Sequence, residues 1–99
     1  MAEYVLTNKA VADLSDIWNY TFNVWSESQA DKYYQMLIDT FQRIAENPEI
    51  GKNYEKITNQ LFGLKTGRHI IFYRKTENDL VEIIRILHEE MDIKNRIND

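Results

Sequence analysis

Apolar and polar positions change period several times along this chain, and each change marks an element. Glu3-Tyr4-Val5-Leu6-Thr7 alternates and is rich in β-formers, which predicts an opening strand. From Asn8 the period lengthens. Val11, Leu14, Trp18, Phe22 and Trp25 recur at three- and four-residue spacing, Ile17 widens the stripe, and Asp13, Asp16 and Asn19 fall on the other side. That spacing predicts an amphipathic helix over 8–25 with Thr7 or Asn8 as N-cap, and it places Trp18, Phe22 and Trp25 in the core. Ser26-Glu27-Ser28-Gln29 reads as a capping box that opens a second helix. Ala30, Tyr33, Leu37, Phe41, Ile44 and Ala45 share one face of it, and Asn47-Pro48 ends it, because the residue before proline is pushed out of helical geometry. The two helices form a hairpin with almost no loop. Neither buries its stripe alone, so the pair needs a second layer.

Downstream, Glu49 to Gln60 is a polar connection without clear periodicity. Leu61 to Lys65 reads as a strand, Gly67 marks a turn, and His69 to Lys75 is a strong strand. Thr76 to Asp79 has turn chemistry, and Leu80 to His88 is a further strand, nearly continuous in apolar content. Such tight spacing predicts an antiparallel meander. The tail from Met91 to Ile97 has room for a helical turn or two, with Asp92 as a cap. The order β-α-α-β-β-β with a short C-terminal helix is α+β: a helical hairpin packed on an antiparallel sheet, one domain over 1–99.

Composition narrows the class. The chain has 99 residues, 43% apolar and 28% charged, the balance of a folded soluble domain. No apolar run approaches the ~20 residues that span a bilayer, and the N-terminus lacks a signal-peptide pattern. No cysteine is present, so thiol chemistry is excluded and a cytoplasmic location is expected. The net charge of −4 is uneven: residues 1–50 hold eight acids and three bases, whereas 52–75 hold six bases and only Glu55 as an acid. The basic stretch suits an acidic partner or nucleic acid, but the overall acidity counts against a phosphate-binding domain.

The chemistry-bearing residues are few. His69 and His88 lack metal-ligand spacing, no serine or threonine sits in a nucleophile context, and no phosphate-binding glycine loop occurs, so neither metal nor cofactor is expected. Arg68, His69, Tyr73, Arg85 and His88 gather on the meander. Such groups suit RNA cleavage, with an imidazole moving protons and arginines stabilising phosphorane charge. Strand parity, however, puts Arg85 on the face opposite His88, so the set does not converge. Tyr20, Tyr33 and Tyr34 are candidates to meet a partner.

Some runs exceed what periodicity requires. Tyr4-Val-Leu-Thr7, Ile17-Trp18-x-Tyr20-Thr21 and Asn47-Pro48-x-x-Gly51 are joined by Gly67-Arg68-His69-Ile70-Ile71-Phe72-Tyr73-Arg74 and Arg85-Ile86-Leu87-His88-x-x-Met91-Asp92. Together, from Tyr4 to about Arg96, they resemble the ParE toxins of type II toxin–antitoxin modules, within the RelE/ParE superfamily. The resemblance implies a helical hairpin on a sheet and a toxin that poisons DNA gyrase and blocks replication. It also implies a cognate antitoxin that wraps and silences the toxin as a hetero-oligomer, with DNA contacted only through the antitoxin. The RelE branch instead cuts mRNA. Here His88 is followed by Glu89-Glu90, whose carboxylates repel a scissile phosphate, which favours the non-enzymatic branch with no catalytic residue. The expected target-binding residues are Arg68, His69, Arg85, His88, Met91, Asp92, Lys94 and Arg96. Those expected to meet the antitoxin are Tyr20, Tyr33 and Leu37. The alternatives are an mRNA endoribonuclease led by His88 and Arg68, and a non-toxic family member that only binds antitoxin.

Overall fold

The computed structural model describes residues 2–97. It contains strands β1 (Glu3–Leu6), β2 (Lys52–Asn53), β3 (Phe62–Thr66), β4 (His69–Lys75) and β5 (Leu80–His88), and helices α1 (Asn8–Val24), α2 (Glu27–Glu46) and α3 (Ile93–Arg96). Short 3-10 turns at Pro48–Ile50 and Glu77–Asp79 complete it.

The helix boundaries follow their caps. Thr7 Oγ1 accepts the Ala10 amide at 3.0 Å and starts α1; Ser26 Oγ accepts the Gln29 amide at 3.0 Å and starts α2. Only Trp25 and Ser26 separate the helices, so the chain reverses without a loop. Asp92 precedes α3 as expected, yet its carboxylate accepts from the Asn95 side chain rather than from a backbone amide.

The sheet order is β1-β5-β4-β3-β2. The meander β3-β4-β5 is antiparallel, with Leu64 opposite Ile71 and Ile71 opposite Ile86. Two features depart from the expected sheet. A fifth strand, β2, lies in the polar connection and pairs Lys52 with Gly63 and Asn53 with Phe62. And β1 lies parallel to β5, Tyr4 beside Val81 and Leu6 beside Ile83. No short turn ties β1 to the meander; the whole helical hairpin intervenes, so direction is free and the apolar pattern decides register.

Both sheet faces are covered. The hairpin packs Ala10, Leu14, Leu37, Phe41 and Ile44 on Ile71, Tyr73, Val81, Ile83 and Ile86. On the opposite face, Leu61, Ile70, Phe72, Leu87 and Ile97 form a second cluster, closed by Tyr54, Ile57, Ile84 and Ile93. The 54–61 segment and α3 therefore cover the sheet face that the hairpin leaves open.

The apolar stripe of α1 is divided. Ala10 and Leu14 are buried and Ile17 and Thr21 half-buried towards the sheet. Val11, Trp18, Phe22 and Trp25, about a quarter-turn round the helix at ~100° per residue, lie outside the core. Phe22 is 45% and Trp25 74% exposed, which overturns their assignment to the core. One sheet face seals only part of so wide a stripe.

Candidate functional site

The end of the sheet where β3 turns into β4 gathers several of the singled-out residues. Gly67 sits in the left-handed region (φ +58°) and shapes the turn; a Cβ there would also meet Tyr33 Oη at 2.6 Å. With glycine in place, Tyr33 reaches across from α2. Its hydroxyl accepts the Arg68 amide at 3.0 Å and lies 2.7 Å from His69 Nδ1. Which group donates in that contact follows the imidazole tautomer: the phenol donates to a bare Nδ1 and accepts from Nδ1–H.

His69 stands in register with His88, their rings edge to face at 5.4 Å. His88 Nδ1 accepts the Glu90 amide at 3.1 Å, and the Glu89 amide bonds the Arg68 carbonyl at 2.9 Å, extending the ladder past β5. The Glu89 carboxylate lies 3.3 Å from Lys65. Burial first, and the facing His88 second, push His69 down from its ordinary 6.5 to about 4, against the opposing pull of Asp13 and Glu89. Burial also raises the Tyr33 phenol.

The sign of the pH effect follows. The unfolded chain takes up the His69 proton before the folded chain does, so this group's stabilisation is complete above 6.5 and drains away as pH falls towards 4. Urea unfolding of His69→Gln between those pH values should show a flatter slope than the parent; equal slopes would remove His69 as the cause.

Arg85 does not join this cluster. Its Nε and Nη2 form a two-pronged pair with Asp13 of α1 at 2.8 and 3.0 Å, and Nη1 donates to the Arg96 carbonyl at 2.8 Å. The Arg85 and Asp13 side chains are only 11% and 14% exposed. The expectation of Arg85 as a target contact is therefore corrected: its guanidinium is spent inside the fold. The geometry has a local cause. β1 stops at Leu6, leaving the later edge of β5 open, and α1 supplies substitutes there: Thr7 Oγ1 donates to the Ile84 carbonyl and Asp13 Oδ2 accepts the Ile86 amide. Asp13, read from periodicity as a solvent-side residue of α1, was the missed member of this group.

The remaining candidates divide. Arg68, Met91, Asp92, Lys94 and Arg96 are exposed, Met91 at 42%; Arg68 belongs to the His69–His88 end, and the Met91 amide donates to the His88 carbonyl there at 3.0 Å. Of the basic stretch, Lys65 and Lys75 are matched by Glu89 and Glu49.

The expected antitoxin contacts also divide. Tyr20 is 65% exposed and available. Tyr33 is half-buried with its hydroxyl engaged. Leu37 is fully buried between hairpin and sheet, so it is corrected from contact residue to core residue. The exposed surface instead belongs to the second α1 row, Val11, Phe22 and Trp25, with Val24 at the end of α1 and Tyr34 of α2 also exposed. The signal was the width of the α1 stripe, broader than one sheet face seals.

No group of three or more His, Asp or Glu side chains suits a metal among the described residues. Nor is any helix among them long and apolar enough to cross a membrane.

Comparison with known proteins gives concordant results. Residues 4–93 match the family described as the ParE toxin of the type II toxin–antitoxin system parDE. Toxin ParE1 of Caulobacter vibrioides is 38% identical over 94 residues, covering 95% of this chain and 96% of that protein. Toxin ParE1 of Mycobacterium tuberculosis is 35% identical over 92 residues, covering 93% and 94%. Among solved structures, a chain of the chromosomal ParDE system from P. aeruginosa aligns with a TM-score of 0.74 at 20% identity, covering 91% of this chain and 97% of that one. A chain of the toxin–antitoxin complex RelBE2 from Mycobacterium tuberculosis aligns at 0.68 and 18% identity, covering 89% and 98%. At those identities the structural likeness speaks to the fold.

Proposed function

Because this chain belongs to the ParE toxin family of type II toxin–antitoxin systems, we propose that it arrests growth by binding DNA gyrase and stalling it on cleaved DNA, without catalysing a reaction itself. The observation that carries this reading is the dispersal of the groups an RNA-cutting site would need. Arg85 is held by Asp13 and the Arg96 carbonyl. His69 Nδ1 is taken by Tyr33, and Glu89 and Glu90 stand beside His88. A scissile phosphate placed there meets no converging arginine pair, and the nearby Lys65 is already matched by Glu89.

A cognate antitoxin silences the toxin by covering the aromatic outer face of the hairpin. Support comes from that face itself: Phe22 and Trp25 are large apolar groups left in water on the same row of α1 as Val11, the signature of a surface that is covered in use.

Purified protein added to gyrase should inhibit supercoiling and accumulate cleaved DNA complexes, and the antitoxin should reverse both. Unchanged supercoiling with no cleaved complex would overturn the gyrase reading. Cleavage of mRNA by the parent but not by His88→Ala would establish the ribonuclease in its place.

A further inference from the structure

On the outer side of the hairpin, Ser15, Trp18 and Asn19 of α1 and Asp31 and Tyr34 of α2 line an open hollow of about 400 Å³. Its composition is selective. The Trp18 indole is its flat aromatic wall, and Phe22 stacks on that indole, ring centres 5.2 Å apart and planes 13° apart, which holds the ring in place. The Trp18 indole donates to Asp31 Oδ1 at 3.1 Å, which fixes the carboxylate at the wall's edge. Among the described residues Asp31 makes no ion pair, so its charge is left to whatever enters. Tyr34, 41% exposed, contributes to the hollow from α2.

A planar cation satisfies all of these features together. A guanidinium lies flat on an aromatic wall and donates edge-on to a carboxylate at once, whereas an ammonium is a compact, strongly hydrated point charge that cannot stack flat and loses more hydration to reach the ring. The surroundings favour the same sign: residues 8–46 hold six acids against three bases. That balance disfavours a second copy of this chain laid face to face, since each would bring the same carboxylate.

We propose that this hollow is a guanidinium subsite, which anchors an arginine projected by an amphipathic segment of the cognate antitoxin. The inference rests on the antitoxin reading above and adds the chemistry of the partner: apolar groups for the Phe22–Trp25 row, and an arginine one or two helical turns away for Asp31.

The test uses acetyl-arginine amide and acetyl-lysine amide as probes, with the Trp18 indole N–H signal followed by NMR in Trp25→Phe, which leaves one tryptophan. The arginine probe should shift that signal saturably and bind severalfold tighter than the lysine probe. Asp31→Asn should weaken it ~tenfold, the usual scale for losing a charged hydrogen bond, whereas Asp39→Asn, the same charge change outside the hollow, should not. The antitoxin encoded beside the toxin should likewise bind Asp31→Asn at least ~tenfold more weakly than the parent. Equal shifts from both probes, or none, would overturn the subsite. So would undiminished antitoxin binding by Asp31→Asn, or self-association of the free chain through this face. Antitoxin that fails to bind the parent chain defeats the partner reading instead, and the arginine probe then reports on the hollow alone.

Discussion

Asp13→Ala is expected to cost about 3 kcal/mol of stability, the scale for removing one partner of a largely buried ion pair. For a domain of this size that lowers Tm by ~12–24 °C. The loss has two parts. The Arg85 guanidinium, 11% exposed, is left with the Arg96 carbonyl in place of a two-pronged carboxylate. The Ile86 amide, which Asp13 Oδ2 accepts at 3.0 Å, loses its partner at an edge that β1 does not reach. Thermal and urea unfolding measure the effect, and a double-mutant cycle with Arg85→Leu isolates it: the double variant should be less damaged than the sum of the singles. Because Arg85 also holds Arg96, Asp13→Ala should speed protease cleavage near α3. A loss below ~1 kcal/mol, the range of an exposed pair, would show that Asp13 and Arg85 do not fasten the hairpin to β5.

The second large effect is Gly51→Ala, with an expected loss of ~3 kcal/mol from overpacking and broken hydrogen bonds. Gly51 has an ordinary extended backbone (φ −79°), so the reason is space. A Cβ there would run into the Tyr73 ring and its hydroxyl. That ring is fully buried and cannot step aside. Its hydroxyl accepts the Gly51 amide at 2.9 Å and donates to the Pro48 carbonyl at 2.7 Å, fastening the end of α2 to β4. Tyr73→Phe separates the contributions, since it removes both bonds and keeps the ring; it should cost less than Gly51→Ala. If Gly51→Ala unfolds within a degree of the parent, the ring has room to move and the clamp is not tight.

Both residues bear on what the sequence discloses. Asn47-Pro48-x-x-Gly51 was visible as a conspicuous run, but its purpose lies in a phenol supplied from the middle of β4, more than twenty positions away in the chain. Asp13 looked like an ordinary polar-side residue because helical periodicity ranks positions by their distance from the apolar stripe. That ranking knows nothing of a strand edge ending beside the helix.

The local elements were legible because their causes are local. Thr7 and Ser26 cap the helices as expected, Pro48 limits the second, Gly67 turns the chain, and β4 and β5 run between the predicted residues. The functional surfaces were only partly legible. His69 and His88 do meet, since antiparallel register across a short turn brings them together. Arg85 and Leu37 were misplaced because residue type and period do not report whether a side chain is already engaged or buried.

The sequence by itself determined the element order, the helical hairpin, the meander and the family, all of which rest on spacing within continuous segments. The tertiary structure alone decided three further things. It set β1 parallel to β5, it chose which half of the α1 stripe is sealed, and it assigned Asp13 to the open edge of β5. Each depends on where two distant segments come to lie, and that is settled by packing the whole chain at once, since no window of sequence contains both partners.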